Sequence, residues 1–124
     1  MHLSEHEKTL LVKKVKKLQN DPELYINKIL DMGETLEPYH KEICKAVVEY
    51  DRIAIKACHA VGKTWLGGRL VPWFLNCFKG SIVITTAPTN RQVETLLWGE
   101  IGKVYKRSKT ILGGKLLTKK WTIS

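Results

Sequence analysis

Ala57-Cys58-His59-Ala60-Val61-Gly62-Lys63-Thr64 is the stretch whose reading decides the fold. The apolar run Ile53-Ala54-Ile55 enters it, and Trp65-Leu66-Gly67-Gly68-Arg69-Leu70-Val71 leaves it. Strand, glycine-containing turn ending in Gly-Lys-Thr, then helix is the setting of a phosphate-binding loop. A triphosphate needs many donors converging on a small anion, and side chains alone cannot crowd in closely enough. Backbone N–H groups can wrap it, and the first turn of the following helix adds unpaired amides and a positive dipole end. In this reading residues 57–64 bind the nucleotide: Gly62 lets the backbone approach, Lys63 reaches the outer phosphates and Thr64 places its hydroxyl on Mg²⁺. Ala57 stands where the usual pattern has its first glycine, so the turn is expected to keep a negative φ there. The expected ligands are ATP and Mg²⁺.

Working outward, three helices are expected before the loop. Ser4 caps residues 5–19, with Glu7 completing a capping box and Leu11, Val15 and Leu18 on one face. Lys13, Lys14, Lys16 and Lys17 on that helix read either as a solvated face or as a contact to DNA or a partner. Asp21-Pro22 starts the second helix, which Gly33 ends, and Glu37-Pro38 starts a third that runs to Tyr50. Tyr39 and His40 near its start are candidates for stacking on or hydrogen-bonding adenine, with ordinary packing as the alternative.

Beyond the loop, a helix from Lys63 to about Asn76 contains Pro72, which should kink it or shift its end. The β-branched run Ser81-Ile82-Val83-Ile84-Thr85-Thr86 reads as a strand buried on both faces. With the helix before it and the strand at residues 53–55, it predicts a right-handed βαβ unit. A further helix is expected through Val93, Leu96, Leu97, Ile101 and Val104. In the tail, Gly113-Gly114 separates Thr110-Ile111-Leu112 from Lys115-Leu116-Leu117-Thr118, and Lys119-Lys120-Trp121-Thr122-Ile123-Ser124 alternates polar and apolar positions in a strand-like way. The expected fold class is therefore α/β: a partial P-loop NTPase of the RecA and helicase kind, with a parallel sheet. Residues 1–50 form an N-terminal helical region and 51–124 a truncated ATPase core.

Charge and cysteine content bound the partners. Residues 1–62 carry ten Lys and Arg against ten Asp and Glu, whereas residues 63–124 carry eleven against two, so the whole excess of +9 is in the second half. Such an excess suits a polyanion such as nucleic acid, or acidic segments beyond Ser124 in a longer protein. Cys44, Cys58 and Cys77 lack CxxC pairing, which argues against a disulfide framework or zinc site. No apolar stretch is long enough to cross a bilayer, so a cytoplasmic protein is expected.

One part of an ATPase is missing. Hydrolysis needs a strand ending in carboxylates that hold Mg²⁺ and orient water. After Lys63 only Glu94 and Glu100 are acidic, and both fall in a helical repeat. The segment is expected to hydrolyse ATP negligibly by itself.

Cys58-His59-Ala60-Val61-Gly62-Lys63-Thr64-Trp65, together with Thr85-Thr86-Ala87-Pro88-Thr89-Asn90-Arg91-Gln92-Val93, resembles the N-terminal part of the ATPase domain of phage terminase large subunits. These are motors that package DNA into procapsids, and the resemblance runs from about Pro38 to Ile123. It implies double-stranded DNA as the track, a small terminase subunit and a portal as partners, and the cytoplasm of a bacterial host as the location. It also implies that Arg91, with Thr86, Pro88, Thr89 and Gln92, couples the nucleotide crevice to DNA. Lys63 and Arg91 are then the catalytic candidates, and Tyr39 and His40 fall where the family has its adenine-contacting motif. A superfamily 2 helicase fragment, or a non-catalytic nucleic-acid-binding module, are the competing readings.

Overall fold

The computed structural model describes residues 4–55, 60–85, 91–110, 112–117 and 120–122, with side chains except at 60–62, 91–94, 115–117 and 120–122. Five helical elements carry the fold: α1 (Glu5–Gln19), α2 (Pro22–Leu24, continuing as a wider turn through Tyr25–Leu30), α3 (Pro38–Glu49), α4 (Ala60–Cys77) and α5 (Arg91–Arg107). A short hairpin follows, β1 (Lys115–Leu117) antiparallel to β2 (Lys120–Thr122).

Local chemistry sets the helix starts. The Ser4 hydroxyl accepts the Glu7 N–H at 3.1 Å, and the Asp21 carboxylate accepts the Leu24 N–H at 3.0 Å. Each thereby satisfies an amide that has no partner within its helix. Pro38 stands at the first turn of α3, where its missing N–H costs nothing. The wide turn after α2 closes with Asp31 N–H on Ile26 O at 3.2 Å and Asp31 at φ 44°. An aspartate tolerates that left-handed conformation better than most side chains.

The centre of the molecule is α4 packed on α5. Leu66, Trp73 and Cys77 recur at helical spacing on the buried face of α4, and Ile101 and Val104 do so on α5. Gly67 and Gly68 make the close approach possible: a β-carbon at Gly68 would stand 2.6 Å from Glu100 Cβ. Tyr25, Ile26, Leu30, Leu36 and Cys44 join the same buried cluster, so the N-terminal helices and α4–α5 share one core. In α1 no residue is buried. It is attached at its C-terminal end, where Trp73 Nε1 donates to Leu18 O and Gln19 Nε2 to Cys77 O, each at 2.7 Å. The hairpin is tied to α5 by the Tyr105 hydroxyl, which donates to Gly114 O at 2.9 Å.

The expected α/β architecture with a parallel sheet is overturned. Among the described residues the only sheet is the two-stranded antiparallel hairpin at the C-terminal end. Residues 52–55 and 81–85 are not strands. Ile82 and Ile84, expected inside a sheet, are each 81% exposed, and Ile53 and Ile55 are exposed as well. The physical reason is that a parallel sheet must be covered on both faces and needs several paired strands. Here α4 places its buried face against α5, through the two glycines, and no βαβ crossover is formed among the described residues. The helix after the loop also differs from expectation. It begins at Ala60, three residues earlier than Lys63, and runs through Pro72 to Cys77.

Candidate functional site

The head of α4 holds the residues on which the phosphate-loop reading rests. Ala57, Cys58 and His59 lie outside the described residues. Ala60, Val61, Gly62, Lys63 and Thr64 occupy the first turn and the start of the second in an 18-residue helix. The side chains of Lys63 and Thr64 are half-buried. The first amides of any helix lack intrahelical acceptors and carry the positive end of its dipole, which makes this end chemically suited to an anion.

The structure brings the adenine candidates close to that turn in a specific way. His40 stacks on Trp65, the residue after Thr64, with ring centres 4.8 Å apart and planes at 28°. Its Nδ1 accepts the Glu37 N–H at 3.1 Å, one half of a reciprocal cap on α3. His40 is thus a buried link between α3 and the start of α4. Tyr39 packs on His40 at 4.1 Å and remains exposed. Arg91 opens α5, and its side chain, like residues 86–90, lies outside what is described.

Trp65 has a second neighbour that composition alone does not reveal. Arg69, one turn further along α4, places its guanidinium carbon 3.9 Å from the Trp65 ring centre and is 1% exposed. Arg69 Nε donates to Glu34 Oε1 at 2.8 Å, Nη2 donates to Glu34 Oε2, and Nη1 donates to Glu100 Oε2 at 3.0 Å and to Trp65 O at 2.7 Å. The planar fork of arginine matches this arrangement, whereas a lysine, with all its donors on one nitrogen, could not span both carboxylates in this two-pronged way. Burial raises the affinity of Glu100 for a proton, but the hydrogen bonds from Arg69 and from Lys103 outweigh it and hold its pKa below 4.5. Glu100 therefore stays ionised as the counter-charge of a buried arginine. That role leaves it unsuited to activating water.

Two clefts flank the second half of α5. One, of about 470 Å³, is lined by Thr95, Trp98, Gly99, Gly102, Lys103, Lys106 and Arg107. The other, of about 420 Å³, lies between the Asp31–Glu34 turn, Trp65, Arg69 and Lys103, Arg107 and Lys109. Lys103 and Arg107 belong to both, so the cations form a ridge between them. Lys109 is 3.8 Å from Asp31 and Lys103 is 3.2 Å from Glu100. Among the described residues Lys106 and Arg107 make no ion pair.

Of the residues singled out from sequence, His40 meets Trp65, Tyr39 packs on His40, and Lys63 and Thr64 precede Trp65 on α4. Two features escaped that reading. The Glu34–Arg69 pairing joins residues 35 positions apart and leaves no local signal. Trp98 as a cleft wall was legible in principle, because Thr95, Gly99, Gly102 and Lys106 recur at helical spacing on the face opposite Ile101 and Val104. Among the described residues no group of three His, Cys, Asp or Glu side chains could hold a metal ion, and no helix is long and apolar enough to cross a membrane. Compared with family models, curated proteins and solved structures, the chain matches none.

Proposed function

We propose that the chain is the nucleotide- and DNA-binding segment of a terminase-type DNA-packaging motor, with ATP held at the head of α4. The observation that carries this reading is the position of Gly62-Lys63-Thr64 in the opening turns of a long helix. The helix end supports the reading without any parallel sheet, because the amides and the dipole belong to the helix itself. Lys63 would reach the β- and γ-phosphates, and Tyr39, exposed and packed on His40, would meet the base. Mg²⁺ would arrive with the triphosphate, whose oxygens and water fill most of its shell, so one hydroxyl from Thr64 suffices. The ion neutralises charge on the phosphates. Glu100 is engaged by Arg69 and Lys103 and so is not free to activate water, and hydrolysis by this segment alone is expected to be negligible.

Double-stranded DNA is the polyanion that the basic second half of the chain would face. The small terminase subunit and the portal follow from the sequence resemblance alone. The test is equilibrium binding of a fluorescent ATP analogue in the presence of Mg²⁺ to the native chain and to Lys63→Ala, with thermal melts to verify folding. Loss of about tenfold or more in affinity on removing one charged phosphate contact is expected. Equal affinities would remove the basis of the reading. The competing reading of a non-catalytic nucleic-acid-binding module is favoured by the two clefts along α5. It predicts that nucleotide affinity does not depend on Lys63.

A further inference from the structure

The larger of the two clefts on α5 combines three properties. Its floor is small: Thr95, Gly99 and Gly102 lie one above the other on the helix, and a β-carbon added at Gly99 would meet nothing within 4 Å. Its far end is cationic, with Lys103, Lys106 and Arg107 and no carboxylate among the lining residues. Its wall contains the half-buried indole of Trp98, whose N–H donates to Thr85 Oγ1 at 3.3 Å. That hydrogen bond uses the one polar atom of the ring, so what Trp98 offers a ligand is aromatic carbon surface.

We propose that this cleft binds single-stranded nucleic acid, with backbone phosphates on Lys106 and Arg107 and one base stacked on Trp98. A volume of about 470 Å³ suits a nucleotide-sized group. Aromatic side chains interleaved with cations are the combination that grips unpaired strands, because every base has a face to stack and every phosphate a charge. A duplex fits less well, since its base faces are covered by their neighbours and only the cations would be used. Lys106 and Arg107 make no ion pair among the described residues, so a phosphate need not displace an existing partner. Gly99 leaves room for the sugar to approach the helix backbone. The inference goes beyond the nucleotide reading of α4 and does not depend on it.

The test is fluorescence anisotropy with a labelled short oligothymidylate, an abasic strand of the same length and a duplex of the same length. The variants are Lys106→Gln with Arg107→Gln, Trp98→Leu and Lys63→Ala, each checked by circular dichroism. The native chain should bind oligothymidylate about tenfold or more tightly than the abasic strand, and Trp98→Leu should abolish that preference. The double variant should weaken binding, and the slope of log affinity against log salt should become shallower by about 1.4, two contacts at about 0.7 each. Lys63→Ala should leave strand binding unchanged, which separates this site from the one at α4. Equal binding of abasic and base-bearing strands, tighter binding of the duplex, or native affinity in the double variant would each overturn the proposal.

Discussion

Replacing Gly68 by alanine tests the helix contact on which the whole fold turns. The added β-carbon would lie 2.6 Å from Glu100 Cβ, 3.2 Å from the Glu100 carbonyl carbon and 3.4 Å from Ile101 N. Carbon atoms rest at about 3.5–4.0 Å, so the two helix backbones must separate by roughly 1 Å. Overpacking of this kind costs about 1–3 kcal/mol. The separation also draws Glu100 away from Arg69, and weakening that charged hydrogen bond adds about 1 kcal/mol. Alanine returns up to about 1 kcal/mol through its higher helix propensity, so the net loss is about 2 kcal/mol. Two neighbouring substitutions supply the comparison. Gly99→Ala on α5 meets open space and should stabilise by about 0.5–1 kcal/mol through helix propensity alone. Gly67→Ala meets only the end of the Leu97 side chain at 3.1 Å, which can turn aside, and should lie between the two. Urea unfolding followed by helical circular dichroism orders the three, with about 3 kcal/mol between the extremes, or roughly 10 °C in Tm for a chain of this size. If Gly68→Ala is as stable as Gly99→Ala, α4 and α5 do not meet at these glycines and the packing described above is wrong.

Other perturbations reach different parts of the structure. Arg69→Met leaves the carboxylates of Glu34 and Glu100 without their buried partner and should cost about 3–5 kcal/mol in urea unfolding, whereas Glu100→Gln, which keeps a hydrogen-bond acceptor, should cost less. Because the folded pKa of Glu100 is depressed, its contribution is complete above about pH 4.5 and is lost as the pH falls through the folded value. The denaturation midpoint of the native chain should therefore drop more steeply below about pH 4.5 than that of Glu100→Gln. Cys44 is pushed up to about 12 by burial, with the charges of Glu23 and Asp21 adding to it, and Cys77 to about 11 by burial. Neither should take up iodoacetamide at pH 8 in the folded chain, and both should do so in urea, as peptide mass spectrometry can show.

The helices were legible because their signals are local. A hydroxyl at Ser4, a carboxylate at Asp21 and a proline at position 38 act within three residues of where they stand, and the expected ranges 5–19 and 38–50 lie within a residue of the observed ones. The helix through Val93, Ile101 and Val104 was readable for the same reason, since its apolar positions repeat at 3.6 residues and Gly99 interrupts only the exposed face. The strands were a different kind of inference. Ile-Ala-Ile and Ile-Val-Ile state a preference for extended backbone, but a strand exists only when a second segment supplies hydrogen bonds, and that partner is not encoded in the run itself.

The error about the sheet and the oversight about Arg69 share one cause, which is that both concern pairings between distant residues. Gly67-Gly68 reads as part of a helix leaving a phosphate loop, and nothing in the string says that a second helix will lie against those glycines. Once α5 does so, Glu100 arrives beside Arg69, Glu34 closes the other side, and the guanidinium can be buried because all its strong acceptors are at hand. The same contact decides the chemistry left over for function. It commits Glu100 to structure and turns the opposite face of α5 with Lys106 and Arg107 outward. Binding sites at the helix end and on the outer face of α5 are thus compatible with a helical core, and neither requires the parallel sheet that the β-branched runs suggested.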